Sequence, residues 1–409
     1  MLDQLPPPSE RRLAVRVTKD ALRQIRGGHP WVFDKSITDA SHHGAPGDLA
    51  VIFDAERRFA AIGLWDPHSP IRIRVLHAGK PTPIDETFWA TRIGETVEKR
   101  RPLVDDPRHS AYRLIHGEND RLPSLVVDQY GPVVVVKLYS EAWLPHLQPV
   151  VAALTDTVEA EAVVLRFARN VATAETFGLS DGATIIGPPV QGGVPFVENG
   201  LEFEADPVNG QKTGYFLDQR DNRQLVRAHS AGASVLDVFC CQGGFGVHAA
   251  AGGATDVHST DLSPHAIRST EQNMSRNASR FAANPRRITT VGDAFEVMQR
   301  LQTVKQHFDL VIIDPPSFAQ RKSSIETALK AYDRLTQLGV ALTNPGGLLF
   351  QASCSSRVTN DDFFDGVFSS ASRRGARLEE IERTGHAIDH PVGFAQGSYL
   401  KAILARVDH

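Results

Sequence analysis

From Val235 to the C-terminus, short apolar runs alternate with helix-like segments. The runs are Val235–Phe239, 256–260, Ile288–Val291, Phe308–Ile313 and the Leu-Leu-Phe-Gln-Ala-Ser stretch that leads into Cys354. Helices are predicted near 245–251, from Ser263-Pro264 onward, over 294–302, near 324–342 and over 361–373, with further strands near 377–384 and 398–407. Ser263 is a good N-cap, and Pro264 suits the first helical position. Largely apolar strands that alternate with helices predict a parallel sheet covered on both faces. Ligands of such sheets bind beyond the carboxyl ends of the strands. Asp237, Asp261, Asp293, Asp314 and Cys354 all fall at or near those ends. Five such residues on one edge make a site.

The stretch from Val235 to Asp261 is the first strand–loop–helix–strand unit, with an acid at the tip of its second strand. Loop glycines let the backbone approach a ligand and point N–H groups at it. Gly244-Phe245-Gly246-Val247-His248-Ala249 fits a degenerate dinucleotide pattern, and Asp261 can accept two hydrogen bonds from ribose hydroxyls. Asp237, inside the first strand, argues against a dinucleotide. An acid there repels a pyrophosphate but attracts an ammonium. Asp293 opens a helix where an acid can take an adenine amino group. Asp314-Pro315-Pro316 follows the fourth strand, where methyltransferases keep residues that face a target base. These features favour S-adenosylmethionine (SAM) over a nicotinamide cofactor.

The chain has 409 residues, which predicts two or three domains. Its net charge of −4 gives no global nucleic-acid signature. Residues 11–78 carry a mild local excess, 11 Lys/Arg against seven Asp/Glu. The cysteines are Cys240, Cys241 and Cys354, with no C-x-x-C pair, which disfavours a disulfide framework or a zinc site and suits a reducing cytoplasm. No metal is predicted. No apolar run approaches membrane-spanning length, and the N-terminus lacks an apolar signal core.

Residues 13–77 read as a small β domain of short alternating segments. Ile71, Ile73 and Val75 alternate with Arg72 and Arg74, which predicts one buried and one basic face. Arg26-Gly27-Gly28-His29-Pro30-Trp31-Val32-Phe33 reads either as an aromatic anchor of a small barrel or as an RNA-contacting rim. A helix over 84–101, a strand pair around Tyr112–Asp128 and the Val-rich run after Gly131, a helix near 144–158 and a strand over 162–167 predict a second, mixed α/β unit. The Glu118–Pro123 loop within it reads as a hairpin loop. Asn209–Arg220 mixes glycines, Lys212, paired aromatics and an Asp-Gln-Arg cluster, which predicts a ligand-facing role.

Five of these motifs together (NGQKTGYFLDQRDNR, DVFCCQGGFGVHA, DPPSFAQRK, SCSS and DHPVGFAQGSYLKAILARV) resemble the bacterial 23S ribosomal RNA (cytosine-C5) methyltransferase family. The early RGGHPWVF looks like the start of its PUA domain. The resemblance spans nearly the whole chain. It implies an α/β architecture: a small β-barrel PUA domain at 12–80, a central α/β domain at 81–196, and a Rossmann-like seven-stranded class I methyltransferase domain at 197–409. It implies SAM contacts from Tyr215, Gln219, Arg220, Asp237, Phe239, Gly243, Gly244, Phe245, Asp261, Leu262, Asp293, Ala294 and Asp314. Arg220 would pair with the methionine carboxylate through its planar fork. RNA contacts are expected from the PUA domain (Arg26, His29, Trp31) and from Arg321 and Lys322. Ribosomal RNA, as 23S RNA or a precursor particle, is the implied partner. The resemblance also allows a homodimer, which no stretch of the sequence specifies.

Carbon 5 of cytosine is a poor nucleophile until a thiolate adds to carbon 6. The family's nucleophile corresponds to Cys354, and Asp314 is the candidate for holding the cytosine edge. Other RNA cytosine-C5 methyltransferases place a second cysteine where this chain has Ser317, so the base that removes the C5 proton is unassigned. Cys240 and Cys241 read as small loop residues. Two rival functions are a methyltransferase acting on a ring nitrogen such as that of guanine, which needs no thiolate, and a non-catalytic SAM-holding RNA-binding or ribosome-assembly factor.

Overall fold

The computed structural model describes every residue except Gln320, and at Lys322 the backbone alone. The chain forms two compact units. One comprises Met1–Val197, Glu204–Leu217 and Ile388–Ala395; the other comprises Glu198–Phe203, Asp218–Ala387 and Gln396–His409.

The first unit holds a six-stranded and a five-stranded sheet. In the six-stranded sheet, strand Leu13–Val17 runs parallel to Leu49–Phe53, and the other pairings are antiparallel. Helix Lys19–Arg26 interrupts a region whose alternation reads as strands alone. It is short and half charged, and only Ala21 and Ile25, four apart, are buried. The predicted basic face of strand Ile71–Ala78 is corrected by the structure. Arg74 is only 3% exposed. It donates to Asp66 Oδ2 at 3.0 Å and Ser124 Oγ at 2.7 Å. A buried charge needs such partners, and they lie outside the strand, where periodicity does not see them. The five-stranded sheet shares a core with helices Glu86–Glu98 and Leu147–Thr157, where Trp89 and Trp143 pack at 5.5 Å between ring centroids. The Glu118–Pro123 stretch does join two antiparallel strands. It is also anchored, because Asp120 is buried and accepts from Arg100 at 3.0 and 2.5 Å.

The second unit is built on a seven-stranded sheet. Its order is Arg286–Val291, Asp256–Asp261, Ser234–Val238, Phe308–Ile313, Thr343–Ser353, Lys401–Asp408, Arg377–Thr384. The first five strands are parallel. Lys401–Asp408 runs antiparallel to both of its neighbours, so the sheet is not parallel throughout. No α-helix lies between Thr384 and Lys401 to carry a crossover, and without one consecutive strands pair antiparallel. The helices start where side chains cap them: Ser263 accepts from Ala266 N–H, Asp293 from Phe295 and Glu296 N–H, and Thr359 from Asp362 N–H. Leu236, Val238, Val311, Ile313, Leu349, Phe363 and Ile403 lie in one buried core, which fixes the strand ends that carry the acids. Among the described residues, no helix is long and apolar enough to cross a membrane.

Candidate active site of the second unit

Strand order reverses at Ser234–Val238, whose neighbours are Asp256–Asp261 on one side and Phe308–Ile313 on the other. A crevice opens beyond the carboxyl ends at such a switch point. The loop leaving this strand is tight. Phe239, Cys241 and Gly243 have φ of 64°, 50° and 77°, all left-handed. Cys240 N–H reaches Thr260 O at 3.0 Å, and Cys241 N–H reaches Asp261 Oδ2 at 3.0 Å. A Cβ on Gly243 would sit 2.7 Å from Thr270 Cγ2, so the loop presses against helix Pro264–Arg276 with no room for a side chain.

Asp237 is fully buried beside this loop. Its Oδ2 accepts Gly246 N–H at 2.9 Å, and its Oδ1 has no hydrogen-bond partner. Burial pushes the carboxyl up to about 7, against the Gly246 N–H, with Asp314 and Asp261 adding to the rise. A buried carboxylate oxygen left unmet fits an ammonium group such as that of the SAM methionine moiety.

Asp261 accepts Cys241 N–H and Ser263 N–H, one on each oxygen, which fixes its orientation. Each oxygen retains a second lone pair for a ribose hydroxyl. Leu262 beside it is 70% exposed. Asp293 is exposed and spends Oδ1 on its helix cap, and Ala294 is buried. Gly244 and Phe245 are buried in helix Gly244–Ala251, and Phe245 packs on Phe350 at 5.2 Å. Phe245 is therefore a core side chain. Arg220 is 1% exposed, with Nε 3.2 Å from Asp221 Oδ1. Tyr215 falls in the first unit, where it is buried against Phe196 at 4.9 Å and exchanges hydrogen bonds with Tyr130.

Asp314 begins beyond Ile313, its N–H 3.4 Å from Val238 O. Gln219 Nε2 donates to Asp314 Oδ1 at 2.8 Å, Asn222 Nδ2 to Gln219 Oε1 at 2.5 Å, and Thr384 Oγ1 to Asn222 Oδ1 at 2.5 Å. This relay orients the Asp314 carboxylate; sequence alone gave no sign of Asn222 or Thr384 in it. Cys354 follows the end of strand Thr343–Ser353, half-buried, with Sγ 3.7 Å from the Pro315 carbonyl. The thiol thus lies against Asp314-Pro315-Pro316. Burial holds the Cys240 thiol well above its ordinary value and pushes Cys241 up to about 11. Both stay protonated at neutral pH, which suits loop residues rather than nucleophiles.

A buried network behind the loop was not anticipated. Arg223 pairs with Glu198 at 2.6 and 2.7 Å. His248 meets Gly244 O at 2.8 Å and Asn199 Nδ2 at 3.0 Å, and stacks on Phe203. These residues are far apart in sequence, and no local pattern joins them.

Of the expected RNA-contacting residues, Arg26, His29 and Trp31 lie in the first unit. Arg26 pairs with Asp54 at 3.1 Å. The Trp31 indole N–H donates to Glu118 at 2.9 Å, and its ring packs on His29 and Phe394. Trp31 is thus engaged in an aromatic anchor. Arg321 is exposed in the second unit. The side chain of Lys322 lies outside the described residues.

A family model of S-adenosylmethionine-dependent methyltransferases matches residues 112–406, and one of PUA-like domains matches 15–78. A "Ribosomal RNA large subunit methyltransferase" of Deinococcus radiodurans is 43% identical over 408 residues, 98% of this chain and 99% of that one. A "Ribosomal RNA large subunit methyltransferase I" of Tolumonas auensis is 31% identical over 401 residues, 96% of this chain and 98% of that one. Among solved structures, a SAM-dependent methyltransferase from Streptococcus mutans superposes with a TM-score of 0.80 at 19% identity, covering 96% of this chain and 99% of that one. A methyltransferase complexed with SAH gives 0.81 at 20% identity, with the same 96% and 99% coverage. At such identity these two structures establish the fold.

Proposed function

The chain belongs to the S-adenosylmethionine-dependent methyltransferase family, and we propose that it methylates carbon 5 of a cytosine in large-subunit ribosomal RNA through a covalent bond from Cys354 to carbon 6. The observation that carries this reading is the Cys354 Sγ, 3.7 Å from the Pro315 carbonyl on the same sheet edge as Asp237 and Asp261. A thiol is what carbon-5 chemistry needs at a base pocket, and a ring nitrogen has no use for it.

The residues have distinct tasks. Asp237 Oδ1 meets the cofactor's ammonium, Asp261 its ribose, Asp293 and Leu262 its adenine end, and Arg220 its carboxylate. Bound SAM supplies an electrophilic methyl group to carbon 5. The Cys354 thiolate adds to carbon 6, which moves the ring electrons towards carbon 5. Asp314, oriented by Gln219, holds the cytosine at N3 or the amino group and, when protonated, steadies charge on N3. Departure of the carbon 5 proton to a base then restores the double bond and expels the Cys354 thiolate. The target base must leave its stack, because carbon 6 is shielded in a duplex. The PUA-like segment is the proposed RNA-docking part, within a three-part division at 12–80, 81–196 and 197–409.

The test is tritium transfer from SAM to ribosomal RNA, followed by mass mapping of the modified nucleotide. 5-Methylcytosine that disappears with Cys354→Ala is the expected result. An N-methylated purine that survives Cys354→Ala replaces this reading with the ring-nitrogen one. No incorporation into any RNA leaves a binding factor.

A further inference from the structure

Lys401 is a lysine where few are found, in a strand flanked on both sides within the sheet and only 3% exposed. It sits directly opposite Ser353, the residue before Cys354, in the antiparallel pairing of Lys401–Asp408 with Thr343–Ser353. Its Nζ donates to the carbonyl of Ser355, the residue after Cys354, at 2.6 Å, and to the carbonyl of Val358. The ammonium therefore grips the turn that follows Cys354, while the backbone of Lys401 pairs with the residue before it. Two carbonyls use two of its three N–H donors.

We propose that Lys401 is a positioning residue for Cys354: its buried ammonium fixes the 354–358 turn and supplies the positive charge that favours the Cys354 thiolate. This rests on the reading of Cys354 as nucleophile. A cation beside a thiol lowers the thiol's pKa and raises the thiolate fraction at neutral pH.

The groups that face this corner are Cys354 itself, Asp362 at the start of helix Asn360–Arg373, Tyr332 on helix Ile325–Leu342 and Asp314. Burial lowers Lys401 to about 8, while Cys354 and Asp362 pull it back up. Tyr332 accepts the Ser353 hydroxyl at 2.8 Å, and burial, with Cys354 and Asp314, keeps its phenol protonated. Asp362 lies at the helix start, where Thr359 caps its N–H. Among these described groups Lys401 is the buried cation, and Arg357 is a second, exposed cation within the same turn.

The test reads the thiol without RNA. Cys354 alkylation by iodoacetamide is followed from pH 5 to 10 in the full-length protein, with the Cys354 peptide quantified by mass spectrometry. The wild type is expected to titrate below the ordinary thiol value of about 8.5. Lys401→Met is expected to raise that midpoint by about one unit or more, a tenfold loss of thiolate at pH 7. Lys401→Arg, which keeps the charge, is expected to recover most of the shift; a purely structural lysine would show no such charge dependence. A folded Lys401→Met protein with an unchanged midpoint overturns the proposal. Should Lys401→Met fail to fold, a wild-type midpoint at or above about 8.5 overturns it and a lower one supports it. The nucleophile reading fails by a different result, full methyl transfer by Cys354→Ala.

Discussion

Asp237 and Gly246 are joined by a hydrogen bond of 2.9 Å that uses one carboxylate oxygen and leaves the other buried and unmet. The bond ties the first strand to the helix that follows the glycine loop. It also aims the second oxygen, so the loop is shaped before any ligand arrives. A Cβ on Gly246 would sit 3.0 Å from Ser259 Oγ and 3.1 Å from Asp237 Oδ2, a close fit that would push on the carboxylate the bond holds.

The unmet oxygen gives the ligand-free protein a pH dependence of known sign. Below its ordinary value of 3.8 the Asp237 carboxyl is protonated in folded and unfolded chains alike. Between 3.8 and about 7 the unfolded chain loses the proton while the folded chain keeps it, so stability falls as pH rises. Above that window the whole penalty is present, on the order of 4 kcal/mol. Asp237→Asn removes this slope. Urea unfolding at pH 5 and pH 8 should show the variant gaining on the wild type at the higher pH. SAM affinity should move the other way. Calorimetric titration should find wild-type binding tighter at pH 8 than at pH 5.5, and Asp237→Asn weaker by about tenfold or more at pH 8. Equal pH slopes for the two proteins would remove Asp237 from the ammonium site.

Gly243→Ala tests the loop itself. The left-handed φ and the 2.7 Å approach to Thr270 both oppose a side chain. Strain of about 1–3 kcal/mol is expected, expressed as lost SAM affinity and a lower Tm. Thr270→Ser, which removes the obstructing methyl but not the φ strain, should rescue Gly243→Ala only in part. Full rescue would assign the defect to packing alone.

The seven-stranded sheet was legible in the sequence because its inner strands, such as Phe308–Ile313, are largely apolar and several helices begin with a capping residue, Ser263, Asp293 or Thr359. Asp237, Asp261, Asp293, Asp314 and Cys354 were visible for the same reason, since a strand's end marks its position in space. Direction was less legible: the antiparallel Lys401–Asp408 strand depends on a missing crossover helix rather than on its own residues. Arg74 misled, because alternation predicts a solvent face and cannot see Asp66 and Ser124 closing over it. The Gln219–Asn222–Thr384 relay and the Glu198–Arg223 pair were silent in the sequence. Their partners come together only when distant elements pack.

The Glu198–Arg223 pair predicts a stability asymmetry. Both side chains are buried, so removing one leaves the other charge without its main counterpart. Glu198→Ala should lower stability by about 3–5 kcal/mol in urea unfolding. Glu198→Leu combined with Arg223→Met should recover at least half of that loss, because two apolar groups leave no unmatched charge. Additive losses in the double variant would show that the pair is held by more than mutual neutralisation.

Asp314 separates cofactor binding from turnover. Asn has the same shape and still offers Oδ1 to the Gln219 amide, so Asp314→Asn should preserve the relay to Asn222 and Thr384. On the proposed mechanism it loses the ability to donate a proton towards N3 as the Cys354 thiolate adds. SAM affinity by calorimetry is therefore expected within about threefold of wild type, while kcat falls by about 100-fold, the usual scale for a lost general acid. The pH–rate profile should lose its acidic-group limb at the same time. A variant that keeps full turnover would mean that Asp314 does not hold the reacting base. A variant that loses SAM affinity as strongly as turnover would place Asp314 against the cofactor instead.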